Sequence, residues 1–295
     1  MEWLKLYNGL KIPTIGYGTF PLKEELHRAL PYAIKKGYQM IDTSDNYDNE
    51  AYVGEALKQL SYDELDNIII VSKFSQPLRS QELYKCFQES VSLIDGNHGI
   101  DIYLLHWPYP YLWKEQWKRM EELYLKGKCK AIGVCNFEKD KMEELLRICS
   151  IKPMINQLEC HPYFNQSETV EYCRQNKIII MSYSPLARMD KELMSDRVIC
   201  KLAEKYNKLP TQIILRWNID NGFVPIPASS DETHIAQNID VLDFKLDFDE
   251  IQEINNLEKG KRIRFDPKTR FNKGKIRQFY FYSIKMKLTG KFFRK

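Results

Sequence analysis

Short apolar runs rich in β-branched residues alternate along the chain with longer segments whose apolar residues recur every three or four positions. The short runs have the length of buried strands, and the longer segments have the periodicity of amphipathic helices. The helical spacing is clearest at 121–128, 141–148 and 211–217. Strands separated by helices pair in parallel, because the chain crosses over before it returns to the sheet. The predicted strands end near residues 18, 42, 73, 106, 136, 157, 183 and 226.

Eight parallel strands are the number that closes an α/β barrel of the (β/α)8 or TIM type. The alternative is an open doubly wound sheet with a G-x-G-x-x-G turn after its first strand, which GYGTF at 16–20 does not match. The opening LYNGLKIPTIG is typical of an N-terminal β-hairpin that turns at Asn8 and Gly9. Length alone also allows two smaller domains, but no Pro/Gly/Ser-rich linker divides the chain. We therefore predict one barrel domain at 1–258 and a basic C-terminal segment at 259–295.

The C-terminal segment changes the charge balance of the protein. It contains fourteen lysine or arginine residues and one acid, Asp266, whereas the whole chain has a net charge of +4. We expect this segment to be partly docked on the barrel or flexible, because charge blocks at termini are commonly just solvated. The alternative is a surface that binds nucleic acid or an anionic membrane. We expect neither of these two kinds of binding.

Composition argues against several classes of protein. No apolar run approaches the ~18 residues that a membrane span needs, and the first residues lack the apolar core of a signal peptide. The seven cysteines are odd in number and contain no C-x-x-C pair, so neither a disulfide framework nor a zinc site is indicated. We expect a cytoplasmic monomer with no metal.

Polar side chains close most of the predicted strands. Catalytic residues of TIM barrels collect at the carboxyl ends of the strands, where the βα loops begin. A single lysine or histidine after a strand is more often an ordinary loop residue, but polar residues at six strand ends indicate a site. These residues are Asp42, Lys73, His106, Asn136, Gln157 and Tyr183.

Together with Tyr47, three of these residues compose a proton donor. The ordinary pKa of tyrosine is near 10, so proton exchange near neutrality requires a stabilised phenolate, which the Lys73 ammonium supplies. Asp42 would keep Lys73 charged and oriented. His106 would hydrogen-bond the substrate oxygen and orient a carbonyl group for hydride attack. A metal-dependent barrel enzyme is the weaker alternative, because His161 lacks a carboxylate and histidine set of suitable spacing.

Eight motifs at these strand ends resemble the aldo-keto reductase family in order and position, over roughly residues 3–258. They are GYGTF (16–20), IDTSDNYDNEAYVGEAL (41–57), VSKF (71–74), LLHWP (104–108), GVCNF (133–137), NQLECHP (156–162), SYSPLA (182–187) and IPASSDETHIAQN (226–238). The resemblance is to bacterial-type members with short loops. It implies an enzyme that reduces aldehydes or ketones to alcohols with NAD(P)H. It also implies a catalytic tetrad in which Tyr47 is the general acid and Asp42, Lys73 and His106 assist.

The resemblance further implies which residues hold the cofactor. Asn136 and Gln157 would hold the nicotinamide carboxamide, and Tyr183 would stack beneath the ring. Cys135 stands where the family usually has serine, and a thiol is a weaker hydrogen-bonding group. The other residues predicted to contact the cofactor are Gly18, Thr19, Asp42, Ser184, Leu186, Ile226, Ser229, His234 and Asn238.

The segment that would face the adenosine 2′-phosphate departs from the family. The family commonly has Ile-Pro-Lys-Ser followed by an arginine, whereas this chain has Ala228 in place of the lysine and His234 in place of the arginine. Losing two charge-assisted hydrogen bonds of roughly 1.5–3 kcal/mol each weakens the preference for NADPH over NADH. We expect NADP(H), with NAD(H) as the alternative, because Ser229, Ser230 and His234 can still accept a phosphate.

Aromatic residues near the same strand ends are candidates for the substrate pocket. They are Phe20, Phe74, Trp107 and Tyr109, beside Tyr47 and His106. Phe74 and Tyr109 are equally well interpreted as core residues. The short loop after LLHWP indicates an open site for varied aldehydes or ketones. The rival function is a non-catalytic nicotinamide-binding regulatory subunit or sensor of the same fold, against which the complete tetrad argues.

Overall fold

The computed structural model describes residues 1–94 and 99–270. Its largest sheet contains eight parallel strands, and a two-stranded antiparallel sheet precedes them. The strands are β1 (Trp3–Lys5), β2 (Lys11–Pro13), β3 (Tyr17–Gly18), β4 (Met40–Asp42), β5 (Ile69–Phe74), β6 (Ile102–Leu105), β7 (Ala131–Cys135), β8 (Ile155–Glu159), β9 (Ile179–Tyr183) and β10 (Val224–Ile226).

Strands β3 to β10 close into a barrel. Each strand pairs with its neighbours in the sequence, and all of these pairs are parallel. The first and last strands are joined by backbone hydrogen bonds from Gly16 N to the Pro225 carbonyl (3.0 Å) and from Gly18 N to the Pro227 carbonyl (2.9 Å). The predicted (β/α)8 barrel is therefore confirmed, and the open sheet is not formed.

Helices connect the strands and cover the outside of the barrel. The three segments with clear helical spacing lie in α5, α6 and α10, although α5 ends before residue 128. No helix among the described residues is long and apolar enough to cross a membrane. The helices are α1 (Leu26–Lys35), α2 (Glu50–Leu57), α3 (Tyr62–Asp66), α4 (Leu83–Ile94), α5 (Trp113–Leu125), α6 (Lys139–Ile148), α7 (Ser167–Gln175), α8 (Lys191–Met194), α9 (Arg197–Tyr206), α10 (Pro210–Asp220), α11 (Glu232–Ile239), α12 (Phe248–Asn255) and α13 (Pro267–Arg270).

Side chains alternate between two cores along each strand, because successive residues of a strand point to opposite faces. On β5, Val71 belongs to the core inside the barrel, and Ile70 and Phe74 belong to the core between strands and helices. On β6, Leu104 lies inside and Tyr103 outside. This alternation places Lys73 inside the barrel and sends the next residue, Phe74, outward.

The N-terminal hairpin closes the amino end of the barrel. β1 and β2 pair antiparallel, and Gly9 takes a positive φ of 95° in the turn, as predicted. Leu6 and Ile12 are fully buried in the inner core, where they pack with residues from the barrel strands. The interior below the strand ends is therefore filled with side chains, as in other barrels of eight strands.

Residues 259–266, which we call the strap, follow α12 and lie against the carboxyl end of the barrel. The backbone amides of Lys259 and Lys261 donate to the Tyr163 carbonyl (3.2 and 3.0 Å). The Lys259 ammonium also lies 3.8 Å from the centre of the Tyr163 ring. The strap is thus docked on the barrel. The predicted domain boundary at 258 stays a prediction, and residues 271–295 lie outside the described part.

A buried carboxyl group links α2 to the barrel. Glu50 accepts hydrogen bonds from the hydroxyl groups of Ser72 on β5 (2.6 Å) and Ser90 on α4 (2.9 Å). The helices α2 and α4 meet closely here, because a Cβ on Gly54 would lie 2.2 Å from the Leu93 carbonyl oxygen. Burial raises the pKa of Glu50 to about 7. Its carboxyl group therefore costs stability when it ionises.

This raised pKa predicts a specific pH dependence of stability. Between pH ~4.5 and ~7 the unfolded chain releases the Glu50 proton and the folded chain retains it, so the free energy of unfolding falls as pH rises. We expect the substitution Glu50→Gln to remove this fall, which is on the order of 3 kcal/mol. Urea unfolding at pH 5 and pH 8 measures it, with the exposed Glu55→Gln variant of the same helix as control. A wild-type-like pH dependence in Glu50→Gln would refute the assignment.

Candidate active site

Lys73 lies at the centre of the predicted tetrad. Its side chain points into the barrel from β5 and is fully buried. Its ammonium group donates hydrogen bonds to Asp42 Oδ1 (2.6 Å), to the Thr43 carbonyl (2.7 Å) and to the Tyr47 hydroxyl (3.2 Å). An ammonium has three protons, so each of them has an acceptor. The structure thus joins three of the four predicted catalytic residues in one network.

This network determines where the Tyr47 proton can go. Lys73 can only donate, so the Tyr47 oxygen is the acceptor of their hydrogen bond, and its own proton remains available. No hydrogen bond carries that proton to another described residue. Tyr47 lines a cavity at the mouth of the barrel. Its hydroxyl is therefore a free donor toward whatever occupies the cavity.

The charge states of the two residues suit this role. Burial raises the pKa of Tyr47 to about 12, although the positive charge of Lys73 acts in the opposite direction. Burial is the largest single influence on the pKa of Lys73 and would lower it, but the negative charge and hydrogen bond of Asp42, together with Tyr47 and Cys135, make the net shift upward. At neutral pH the phenol is protonated and the ammonium is charged. The Lys73 ammonium stabilises the phenolate, as expected, but the effect of burial on the phenol pKa is larger.

His106 follows β6 and completes the tetrad. Its ring stands edge-on to the Tyr47 ring, with 6.0 Å between centroids, and stacks on Trp107 at 5.4 Å. Its Nδ1 atom lies 2.5 Å from the Ser75 hydroxyl and 3.3 Å from the Ser44 hydroxyl. Two hydroxyl groups and an indole ring therefore fix the imidazole beside the proton donor.

A carboxyl group lies behind these two serines. Asp45 accepts hydrogen bonds from the Ser75 amide (3.1 and 3.2 Å) and from the Ser44 hydroxyl (3.4 Å). The two serine hydroxyls lie 2.7 Å apart. Burial raises the pKa of Asp45 to about 6. Asp45 is thus connected to His106 through Ser44 and Ser75, a connection that was not predicted from the sequence.

The residues predicted to hold the nicotinamide lie beside the tetrad. Gln157 Nε2 donates to the second carboxylate oxygen of Asp42 (2.7 Å). The Tyr183 hydroxyl donates to Asn136 Oδ1 (2.8 Å), and Asn136 Nδ2 donates to the His106 carbonyl (3.0 Å). Asn136 has a φ of 62°, a conformation that residues other than glycine adopt at a cost and that clusters at functional sites.

The cavity at the barrel mouth has a volume of about 820 Å³. Small-molecule and cofactor sites commonly measure about 300–1,000 Å³. The cavity extends from the tetrad to α11. Gly18 lines it next to Ile226, and a Cβ on Gly18 would lie only 3.0 Å from the Ile226 side chain. The predicted cofactor residues that line it are Gly18, Asp42, Asn136, Gln157, Tyr183, Ser184, Leu186, Ile226, Ser229, His234 and Asn238. An elongated cavity with amide side chains at one end and hydroxyl and imidazole groups at the other fits a nicotinamide dinucleotide.

Several predicted or considered residues do not line this cavity. The Thr19 hydroxyl donates to the Asp42 carbonyl (3.0 Å), and Cys135 lies in the inner core, where burial raises the pKa of its thiol. Tyr109 donates to the Ser75 carbonyl (2.6 Å). The structure corrects the placement of Phe74 in the substrate pocket. Phe74 is fully buried in the outer core, because the strand alternation gives the inward position to Lys73.

Other residues that line the cavity were not predicted as site residues. Most of them lie in loops, and Met194 and Thr211 lie in α8 and α10, so they approach the barrel mouth only in the folded chain. In the loop 184–189, Ser184, Ala187, Arg188 and Met189 have positive φ angles between 47° and 60°, which brings the loop tightly against the mouth. The residues that were not predicted include Pro21, Asn46, Arg188, Met189, Met194, Leu209, Thr211, Arg264 and Phe265.

Comparison with known proteins identifies the family. The model of the Aldo/keto reductase family matches residues 6–259. The chain belongs to this family. This aldo/keto reductase is 39% identical over 269 residues to the uncharacterized oxidoreductase YtbE of Bacillus subtilis, with 89% of the chain and 95% of the relative covered. It is 38% identical over 267 residues to the methylglyoxal reductase DkgA of Escherichia coli, with 90% and 96% covered.

Solved structures of the family support the fold. An aldo-keto reductase from a deep-sea metagenome, MGS-M4, is 34% identical, and the TM-score is 0.86 over 91% of this chain and 99% of the other. A Bombyx mori aldo-keto reductase in complex with NADP is 30% identical, with a TM-score of 0.83 over 90% and 95%. The predicted family and enzyme class, an oxidoreductase that uses NAD(P)H, are confirmed. Among residues 1–94 and 99–270, no cluster of three or more histidine, cysteine or acidic side chains could hold a metal ion.

The contact between Ser75 and His106 generates a test. Removal of the Ser75 hydroxyl in Ser75→Ala takes away the closest partner of His106 Nδ1. We expect kcat/KM for aldehyde reduction to fall about tenfold, because a net hydrogen bond contributes roughly 0.5–1.5 kcal/mol. Steady-state kinetics and the NADPH Kd measure the effect, with Ser44→Ala as the weaker comparison. A pH profile that shifts in Ser75→Ala would connect the effect to Asp45, whereas an equal loss of cofactor binding would contradict a role confined to His106.

Proposed function

We propose that the protein reduces small aldehydes or ketones to alcohols with NADPH, and that Tyr47 is the general acid. The observation that carries the proposal is the saturation of the Lys73 ammonium by three acceptors. Because Lys73 donates to the Tyr47 oxygen, the Tyr47 proton is free to point into the cavity. The same contact keeps a positive charge next to the oxygen on which a phenolate would form. Relatives named methylglyoxal reductase and glyoxal reductase support a small carbonyl substrate.

In this proposal each tetrad residue has one task. The substrate carbonyl oxygen lies between the Tyr47 hydroxyl and the His106 ring. The centroids of the Tyr47 and His106 rings are 6.0 Å apart. The bound cofactor supplies a hydride to the carbonyl carbon. Tyr47 gives its proton to the oxygen, so that hydride and proton together complete the alcohol, and Lys73 stabilises the resulting phenolate. Asp42 holds the ammonium in place through its contact at 2.6 Å.

The cofactor residues act by positioning. Gln157 is tied to Asp42, and Asn136 is tied to Tyr183, so the amide groups that would meet the nicotinamide are connected to the tetrad. A substrate carbonyl that contacts both the nicotinamide ring and the Tyr47 hydroxyl needs little further ordering before the reaction. The non-catalytic regulatory subunit is not supported, because the relatives are named as oxidoreductases and the tetrad is complete.

We propose NADP(H) as the cofactor, with a weakened 2′-phosphate site. Ser229 and His234 line the far end of the cavity. Asp231 caps α11 by accepting from the His234 amide (2.9 Å), so its carboxylate competes with a phosphate for that amide. The solved NADP complex of a 30% identical relative supports the choice of NADP(H).

Substitution of Tyr47 tests the general acid. We expect Tyr47→Phe to retain NADPH binding and to lose about 10²- to 10⁴-fold in the rate of aldehyde reduction, because only proton donation is removed. Stopped-flow or steady-state oxidation of NADPH with methylglyoxal and 4-nitrobenzaldehyde measures the rate. Tyr52→Phe removes the same oxygen atom from a tyrosine whose hydroxyl bonds Glu24 at the surface, and it serves as the control. Unchanged turnover in Tyr47→Phe would reject the assignment.

Restoration of two cations tests the 2′-phosphate site. We expect the double variant Ala228→Lys, His234→Arg to bind NADPH at least tenfold tighter, because two charge-assisted hydrogen bonds are gained. NADH lacks the phosphate, so its Kd should change little. Quenching of tryptophan fluorescence by each cofactor gives the two Kd values. Equal tightening of both cofactors would show that the phosphate does not bind near these residues.

A further inference from the structure

Arg264 of the strap lies at the substrate end of the cavity. Its side chain lines the cavity together with Phe20 and Tyr47. The guanidinium carbon lies 5.3 Å from the centre of the Phe20 ring, and the Phe20 ring lies 5.0 Å from the Tyr47 ring. Only one aromatic ring therefore separates this cation from the proposed proton donor.

The other cations of the strap are neutralised by the barrel. Lys259 pairs with Glu192 (2.7 Å), and Lys261 pairs with Asp190 (2.9 Å). Arg262 pairs with Glu138 at 2.5 Å. The guanidinium group of Arg264 has no ion pair and no hydrogen bond to any residue of 1–94 or 99–270, and its contacts are the faces of Phe20 and Phe265.

A buried carboxylate fixes the backbone of Arg264. Glu159, at the end of β8, is fully buried and accepts hydrogen bonds from the amides of Ile263 (2.5 Å) and Arg264 (3.0 and 3.2 Å). The backbone position is therefore set by a barrel strand. A side chain that starts from a fixed backbone position has fewer conformations to lose when it meets an anion, which reduces the entropic cost of binding.

A second arginine that lines the cavity, Arg188, lies in the part of the cavity that we assign to the cofactor. It lies in the loop 184–189, beside Ser184 and Leu186, which are predicted to contact the pyrophosphate and adenosine side of the cofactor. Arg264 lies instead beside Phe20, one aromatic ring away from Tyr47. Their positions thus place Arg264 at the substrate end of the cavity and Arg188 beside residues predicted to contact the cofactor.

We propose that Arg264 binds a carboxylate group of the substrate, so that the enzyme prefers aldehydes or ketones that carry a carboxylate about one aromatic ring away from the carbonyl. The guanidinium fork matches a carboxylate in geometry, and the bond is charge-assisted. The inference rests on the proposed reductase function and specifies its substrate class.

A pair of aldehydes with nearly the same shape tests this proposal. 4-Carboxybenzaldehyde and 4-nitrobenzaldehyde carry planar groups of similar size, and only the first is an anion. We expect the ratio of their kcat/KM values to fall about tenfold in Arg264→Gln, as for the loss of one charge-assisted bond. Arg264→Lys should retain part of the preference. The wild-type ratio should also fall as salt is added, because salt screens the attraction.

Arg262→Gln is the matched control, because it removes the same charge two residues away, from a side chain that is paired and does not line the cavity. The ratio should stay at the wild-type value in this variant. An equal fall for both aldehydes in Arg264→Gln, or a weaker NADPH Kd without any change of ratio, would overturn the proposal.

A binding measurement keeps the proposal testable without turnover. If neither aldehyde is reduced, the proposed function fails, and the affinity of the complex with NADP⁺ for 4-carboxybenzyl alcohol and 4-nitrobenzyl alcohol can still be compared by calorimetry. We expect the carboxylate compound to bind more tightly and to lose about tenfold in affinity in Arg264→Gln. Equal affinities in wild type and variant would refute the role of Arg264 by themselves.

Discussion

The buried ion pair between Lys73 and Asp42 is the interaction on which the rest of the site depends. A charged lysine inside a barrel loses its hydration, and this loss is offset only if the charge is paired and every proton is hydrogen-bonded. Here the ammonium has three acceptors, from Asp42, Thr43 and Tyr47. The second oxygen of Asp42 accepts from Gln157 on β8. The pair thus requires strands β4, β5 and β8 to be in register, and the catalytic arrangement and the barrel geometry are maintained together.

Around this pair, most of the supporting interactions come from residues with no catalytic task. Thr19 and the Gly18 backbone connect β3 to β4 and β10, and Ser44 and Ser75 hold the imidazole of His106. A proton donor must be held within a fraction of an ångström of its productive position, and such precision comes from neighbours that are themselves fixed. The proposed catalytic groups thus lie at the strand ends, and loops supply much of the wall around them.

The sequence allowed the barrel and the tetrad to be predicted because both follow from local patterns. Six of the eight apolar runs ended in polar residues, and parallel strands bring their carboxyl ends together, so Asp42, Lys73 and His106 could be placed at one rim. Phe74 could not be placed correctly from an apolar run alone, since the alternation along β5 is fixed only once Lys73 is known to point inward. The connection of Asp45 to His106 and the position of Arg264 depend on contacts between segments far apart in the chain. The roles of the cofactor residues stay predictions.

Closure of the barrel has a consequence for how the protein is made. The four proposed catalytic residues all lie in the first 106 positions, but much of the cavity wall around them comes from later segments, including the last strand and α11. The hydroxyl of Tyr17 reaches the carbonyl of Ser229 across 212 positions of sequence (2.7 Å). Contacts between such distant segments form late and slow the folding of a domain. Until β10 and the segment after it have been synthesised, the barrel cannot close, and the Lys73 side chain remains accessible to water in an open sheet.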